Sequence, residues 1–143
     1  MRGMATRELR QTRSEDGGRT RVNLLVVEDE ALIATYIREV LEESGFVVAG
    51  VASSGPEAIA LAGEGTIDLA LVVIKLAGPM DGIEVARLLR DRFEVPSIFL
   101  SGVDDEATRE RAQIAAPLGF LPKPFRPSQV FNALEKALAA VTR

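Results

Sequence analysis

From Arg21 onward the chain alternates between short, continuously apolar runs and longer stretches whose apolar residues recur at helical spacing. The runs "VNLLVV" (22–27), "FVVAGV" (46–51), "IDLALVVI" (67–74), "VPSIFL" (95–100) and "LGFL" (118–121) have the length and β-branched content of strands buried on both faces. Between them, "ALIATYIREVLEESG" places Leu32, Ile33, Tyr36, Ile37, Val40 and Leu41 on one helical stripe, and Gly45 stands where that helix should stop. Ser54 with Glu57, and Asp81 with Glu84, have the spacing of a capping box before "PEAIALAGE" and "GIEVARLLRDRF". "DDEATRERAQIA" predicts a short polar helix whose acidic first turn suits the helix dipole. "PSQVFNALEKALAAV" predicts an amphipathic last helix with Val130, Phe131, Leu134, Leu138 and Val141 on one side. Five strands alternating with five helices over short links imply an α/β fold, a parallel sheet with helices on both faces.

The length, 143 residues, fits one domain large enough to bury a core without staples. With no cysteine, disulfides, thiolate nucleophiles and zinc thiolate sites are excluded; with no histidine, the commonest general base and metal ligand is missing too. No apolar run approaches the length that spans a membrane, and the first residues lack the apolar core of a secretory signal, so a cytoplasmic location is expected.

Charge is unevenly spread. Residues 1–21 carry six arginines against Glu8, Glu15 and Asp16, a net +3, which leaves −7 on residues 22–143. A basic segment could touch nucleic acid or acidic lipid. The lack of periodic apolar residues favours instead a disordered basic leader, with Met1 and Met4 both open as its start. The acidic body argues against nucleic acid as main partner. Nothing is expected after the last helix, which would leave residues 22–143 as one domain with no attached output module.

In an open parallel sheet, ligands bind beyond the carboxyl ends of the strands, where strand order reverses. Those ends carry Glu28, Asp29 and Glu30 after strand one, and Val73, Ile74 and Lys75 at strand three. Ser101 and Gly102 follow strand four, and Lys123 lies between Pro122 and Pro124 after strand five. Paired carboxylates suit a hard divalent cation such as Mg²⁺, and a hydroxyl and an ammonium suit phosphoryl oxygens. Each residue also has an ordinary explanation: carboxylates that solvate a loop, a turn serine, a surface lysine, a core valine. Their convergence on one sheet edge is what those explanations leave out. An oxygen nucleophile is what such a site still needs, and Val73 occupies its place.

At this point the chain resembles the receiver domain of two-component response regulators, over about residues 22–141. The resemblance rests on "LLVVEDE", "DLALVVIKLAGPMDG", "FLSG" and "GFLPKPF" in that order. It implies a flavodoxin-like (βα)5 doubly wound sheet with strand order 2-1-3-4-5. It also implies transfer of a phosphoryl group from a sensor histidine kinase, or another phosphorelay protein, onto an aspartate at the end of strand three. Carried over by position, Glu28 and Asp29 resemble the Mg²⁺-binding acids, and the backbone carbonyl of Lys75 resembles a third ligand. Ser101 and Lys123 resemble the groups that meet the phosphoryl oxygens, and Phe120 the aromatic switch. The Lys123–Pro124 peptide is expected to be cis.

The departure is at Val73, where the resemblance calls for aspartate. Asp29 and Val73 are 44 positions apart, a normal receiver separation. Asp68 lies five residues upstream, about 16 Å along an extended strand, and Asp81 reads as a helix cap; neither replaces it. The expectation is therefore a single-domain receiver working by protein–protein contact, with weakened Mg²⁺ binding and no phosphorylation at Val73. Two versions stay open: a phosphorylation-independent pseudo-receiver or adaptor, and a regulator in which Val73 is a substitution. Pairing of two copies is open as well. A flavodoxin-like cofactor protein would need a phosphate-cradling loop where "EDEA" stands, and a DNA-binding regulator would need a further domain.

Overall fold

The computed structural model describes residues 22–102 and 105–141. In chain order it contains β1 (Asn23–Val27), α1 (Ala31–Glu43), β2 (Val47–Ala52), α2 (Gly55–Glu64) and β3 (Leu69–Val73). These are followed by α3 (Gly82–Phe93), β4 (Ser97–Ser101), α4 (Glu106–Ala112), β5 (Gly119–Pro122) and α5 (Pro127–Val141), with a 3-10 turn, Gln113–Ala115, closing α4. The basic leader, residues 1–21, lies outside the described residues. The strands form one sheet in the order 2-1-3-4-5, and every neighbouring pair is parallel. This is the flavodoxin-like (βα)5 arrangement, and strand order reverses between β1 and β3.

The continuous apolar runs follow from a sheet covered twice. Successive side chains point to opposite faces, so Leu24 and Val26 of β1 join Leu69, Leu71, Ile98 and Leu100 beneath α1 and α5. Leu25, Val27, Ala70, Val72 and Phe99 join the apolar residues of α2 and α3 on the other face. Leu41 and Ile37 of α1 are fully buried, and burial of each such side chain contributes about 2 kcal/mol.

Three residues assigned to the apolar stripes are exposed: Leu32, Tyr36, which is 41% exposed and stacks on Phe125, and Phe131. Leu32 is 86% exposed; at 100° per residue it lies about 180° around the helix from Leu41. The buried stripe of α1 is Ala34, Ile37, Val40 and Leu41. Phe131 is 39% exposed; it sits at the margin of the Val130, Leu134, Ala137 stripe and packs its ring 6.2 Å from that of Phe46.

The caps form, with a difference in their return bonds. Ser54 accepts from the Glu57 amide and Asp81 from the Glu84 amide. The Glu57 carboxylate, however, accepts from the Ser53 amide at 2.8 Å, and Glu84 turns to Arg87 at 2.8 Å. Gly45, at φ 94°, ends α1 with the Gly45 amide donating to the Glu42 carbonyl and the Phe46 amide to the Leu41 carbonyl, a Schellman pattern. Glu94 ends α3 in the same left-handed region, at φ 59°, where a side chain costs about 1 kcal/mol or more. Glu94→Gly should therefore raise stability by about 0.5–1 kcal/mol, read as a higher urea midpoint at unchanged slope.

Candidate functional site

The carboxyl ends of β1, β3, β4 and β5 open onto a cavity of about 350 Å³, roomy enough for a hydrated ion or a phosphoryl group. Glu28, Asp29, Val73, Lys75, Ser101 and Lys123 line it, together with Glu30, Leu100 and Gly102. The tertiary structure thus gathers Glu28, Asp29, Glu30, Val73, Lys75, Ser101, Gly102 and Lys123 from the strand ends around one cavity, while Ile74 is not among its lining residues.

Glu28 is held most firmly. Its amide donates to the Ala52 carbonyl at 3.0 Å, extending the β1–β2 ladder by one residue. Its side chain is 1% exposed, with Oε1 3.2 Å from Lys123 Nζ, and Oε2 accepts from the Glu30 amide at 3.1 Å. Asp29 Oδ2 accepts a long bond, 3.4 Å, from the Ala77 amide, tying the loop after β1 to the loop after β3. The Lys123 amide donates to the Ser101 carbonyl at 2.8 Å, and the Lys123–Pro124 peptide is cis. Val73 is only 5% exposed, belongs to the apolar core, and lines the cavity together with Glu28, Asp29 and Ser101.

Removing one partner from a buried ion pair leaves the other charge uncompensated, at a cost of about 3–5 kcal/mol when both are fully buried. Lys123 keeps 21% of its side chain in solvent, so Lys123→Met should cost less, about 2 kcal/mol. Thermal unfolding checks this against a Lys123→Met, Glu28→Gln double variant, in which most of the loss should be recovered.

Other carboxylates lie elsewhere. Asp68 is fully buried at the amino end of β3, where Oδ2 accepts from the Asn23 amide at 2.9 Å. Asp81 caps α3 and pairs with Arg111 at 3.0 Å. Asp105 caps α4; the bond from the Thr108 backbone amide holds its carboxyl below the usual range, with Lys75 adding a smaller attraction. Among the described residues, no group of three or more Asp, Glu, His or Cys side chains gathers as a metal cage. No helix among them is long and apolar enough to cross a membrane.

Phe120 lies outside this cavity, half-buried on β5. Its ring packs 5.7 Å from that of Phe99, and the Arg109 guanidinium lies over it at 4.5 Å. Strand-end reasoning found neither Arg109 nor Gly82. Arg109 is one arginine on a polar helix, with no periodic signal. Gly82 follows the Asp81 cap in sequence, and only the packed loop shows how closely its backbone approaches the end of β3.

The family model of the response regulator receiver domain matches residues 24–135. The chain is 34% identical over 116 residues to the transcriptional regulatory protein PdtaR of Mycobacterium tuberculosis, covering 81% of this chain and 56% of that protein. It is 37% identical over 107 residues to the transcriptional regulatory protein ResD of Bacillus subtilis, covering 75% of this chain and 44% of that protein. The chain therefore spans about half the length of these curated relatives. Among solved structures, the signal receiver domain of a modulated diguanylate cyclase from Desulfovibrio desulfuricans G20 superposes with a TM-score of 0.80 at 36% identity, over 85% of this chain and 96% of that one. With strand order, strand-end cavity and sequence match in agreement, this chain belongs to the response regulator receiver domain family.

Proposed function

We propose that the chain is a phosphorelay receiver that engages a sensor histidine kinase, or another phosphorelay protein, by surface contact, and that it is not phosphorylated at the acceptor position because Val73 stands there. One observation carries the reading: Val73 lines the same cavity as Glu28, Asp29, Ser101 and Lys123, at the carboxyl end of β3. A valine has no lone pair to attack phosphorus, so aspartyl-phosphate formation is lost rather than slowed.

The donor set fits a weakly held Mg²⁺. Glu28, Asp29 and the backbone carbonyl of Lys75 would hold it, all through the oxygen ligands this ion prefers. When bound, it would neutralise charge on phosphoryl oxygens. Val73 offers no ligand, and Glu28 already commits one oxygen to Lys123 and the other to the Glu30 amide. Ser101 and Lys123, the latter paired with Glu28, line the same cavity.

The role is signalling by contact rather than turnover of a substrate, in the cytoplasm, with protein rather than nucleic acid as partner. The −7 charge of residues 22–143 supports the last point. Pairing of two copies is compatible with it. Incubation with a phosphorylated histidine kinase tests the reading: the chain should bind and carry no label. A base-labile phosphoryl group on the unaltered chain would overturn the assignment of Val73 as the acceptor position.

A further inference from the structure

The half-buried ring of Phe120 is held between unlike neighbours. Phe99, fully buried on β4, lies on its inner side with ring centroids 5.7 Å apart. The Arg109 guanidinium carbon lies 4.5 Å from the ring centroid, inside the range for a cation–π contact. Between the ring and Ser101 there is a cavity of only about 20 Å³, also lined by Ile74 and Thr108. That is room for about one water molecule and not for a phenyl ring.

The helix that carries Arg109 has little apolar anchorage. Ala112 is the buried residue of α4 and Ala115 that of the turn closing it, so polar contacts supplement a small apolar anchor. Contacts that reach other elements include the Arg111–Asp81 pair at 3.0 Å across to the start of α3 and Arg109 on Phe120, while the Asp105 cap on the Thr108 amide, 2.7 Å, closes the helix's own first turn.

We propose that Arg109 is a positioning residue that fixes the orientation of the Phe120 ring from α4, outside the acidic cavity. The ring orientation, and with it the relation between α4 and β5, is then set by a side chain that is not among those lining the acidic cavity. It holds whatever occupies position 73, and it stands independently of the proposed function.

The test is NMR on the full chain with labelled phenylalanine, comparing the parent with Arg109→Met. The Phe120 ring signals should shift, and amide exchange at Phe120 and Thr108 should rise about two- to five-fold, the factor that an exposed cation–π contact corresponds to. Exchange in β1 and β3 should stay as in the parent. In a Phe120→Leu background, Arg109→Met should produce no further change in Thr108 exchange. Unchanged ring signals and exchange in a folded Arg109→Met chain would overturn the proposal. So would an equal effect in the Phe120→Leu background, which would assign Arg109 to the stability of α4 alone. If Arg109→Met does not fold, Arg109→Gln, which keeps a polar side chain and removes the charge, carries the same comparison with the same outcomes.

Discussion

Val73→Asp should turn the chain into one that takes a phosphoryl group from a small-molecule donor in the presence of Mg²⁺. Positioning and electrostatics supply most of phosphoryl-transfer catalysis. The groups for both, Glu28, Asp29, Ser101 and Lys123, already line the cavity. The substitution adds the nucleophile and a third side-chain oxygen ligand in one step. It also brings a third carboxylate beside Glu28 and Asp29, and like charges in a shared site oppose one another's ionisation. Without Mg²⁺ the variant should therefore be less stable than the parent, by about 1–3 kcal/mol. Saturating Mg²⁺ should recover that loss, since a ligand at a hundred times its dissociation constant stabilises by about 2.7 kcal/mol. Mass spectrometry should find an added, base-labile phosphoryl group on the variant and none on the parent. A folded variant that stays unlabelled would mean that the surrounding groups no longer suit the chemistry, which leaves the phosphorylation-independent adaptor as the reading.

Gly82→Ala should be among the most damaging single-methyl additions in the chain. Gly82 opens α3 directly after its Asp81 cap, and its amide donates to the Ile74 carbonyl at 2.8 Å. A Cβ there would overlap the carbonyl oxygen of Val73 and come within 2.8 Å of its carbonyl carbon and 2.9 Å of Ile74 Cα. All three are backbone atoms and cannot rotate aside. The helix propensity gained by alanine, about 1 kcal/mol, is outweighed by the forced separation of α3 from the end of β3. A net loss of about 3 kcal/mol is expected, or roughly 6–12 °C in thermal midpoint. The distortion falls on residue 73, so combining Gly82→Ala with Val73→Asp should abolish the labelling expected of the single variant. A midpoint within about 2 °C of the parent would show that the loop yields freely and that the close approach carries no structural weight.

The sequence by itself determined the architecture, because the architecture depends on periodicity. Runs such as "LLVV" and "LALVV" can be buried on both sides only in a sheet covered twice, and short helical links between them force parallel strands. The start and end of α3 and of α5 match the pattern to the residue, since Asp81, Pro127 and the apolar stripes act locally. Strand ends were also enough to select the cavity residues, because every parallel strand delivers its last side chains to the same edge.

Only the tertiary structure decided how those side chains are spent. Lys123 chooses Glu28 rather than Asp29, a choice made by loop geometry across 95 positions of sequence. Leu32 and Phe131 look like core in a helical pattern, yet they lie partly or wholly in solvent, since periodicity gives the direction of a side chain and not the width of the surface that covers it. Arg109 on Phe120 and Gly82 against Val73 join segments that carry no mutual signal in sequence. Each depends on two elements arriving at one point, and that is fixed by packing alone.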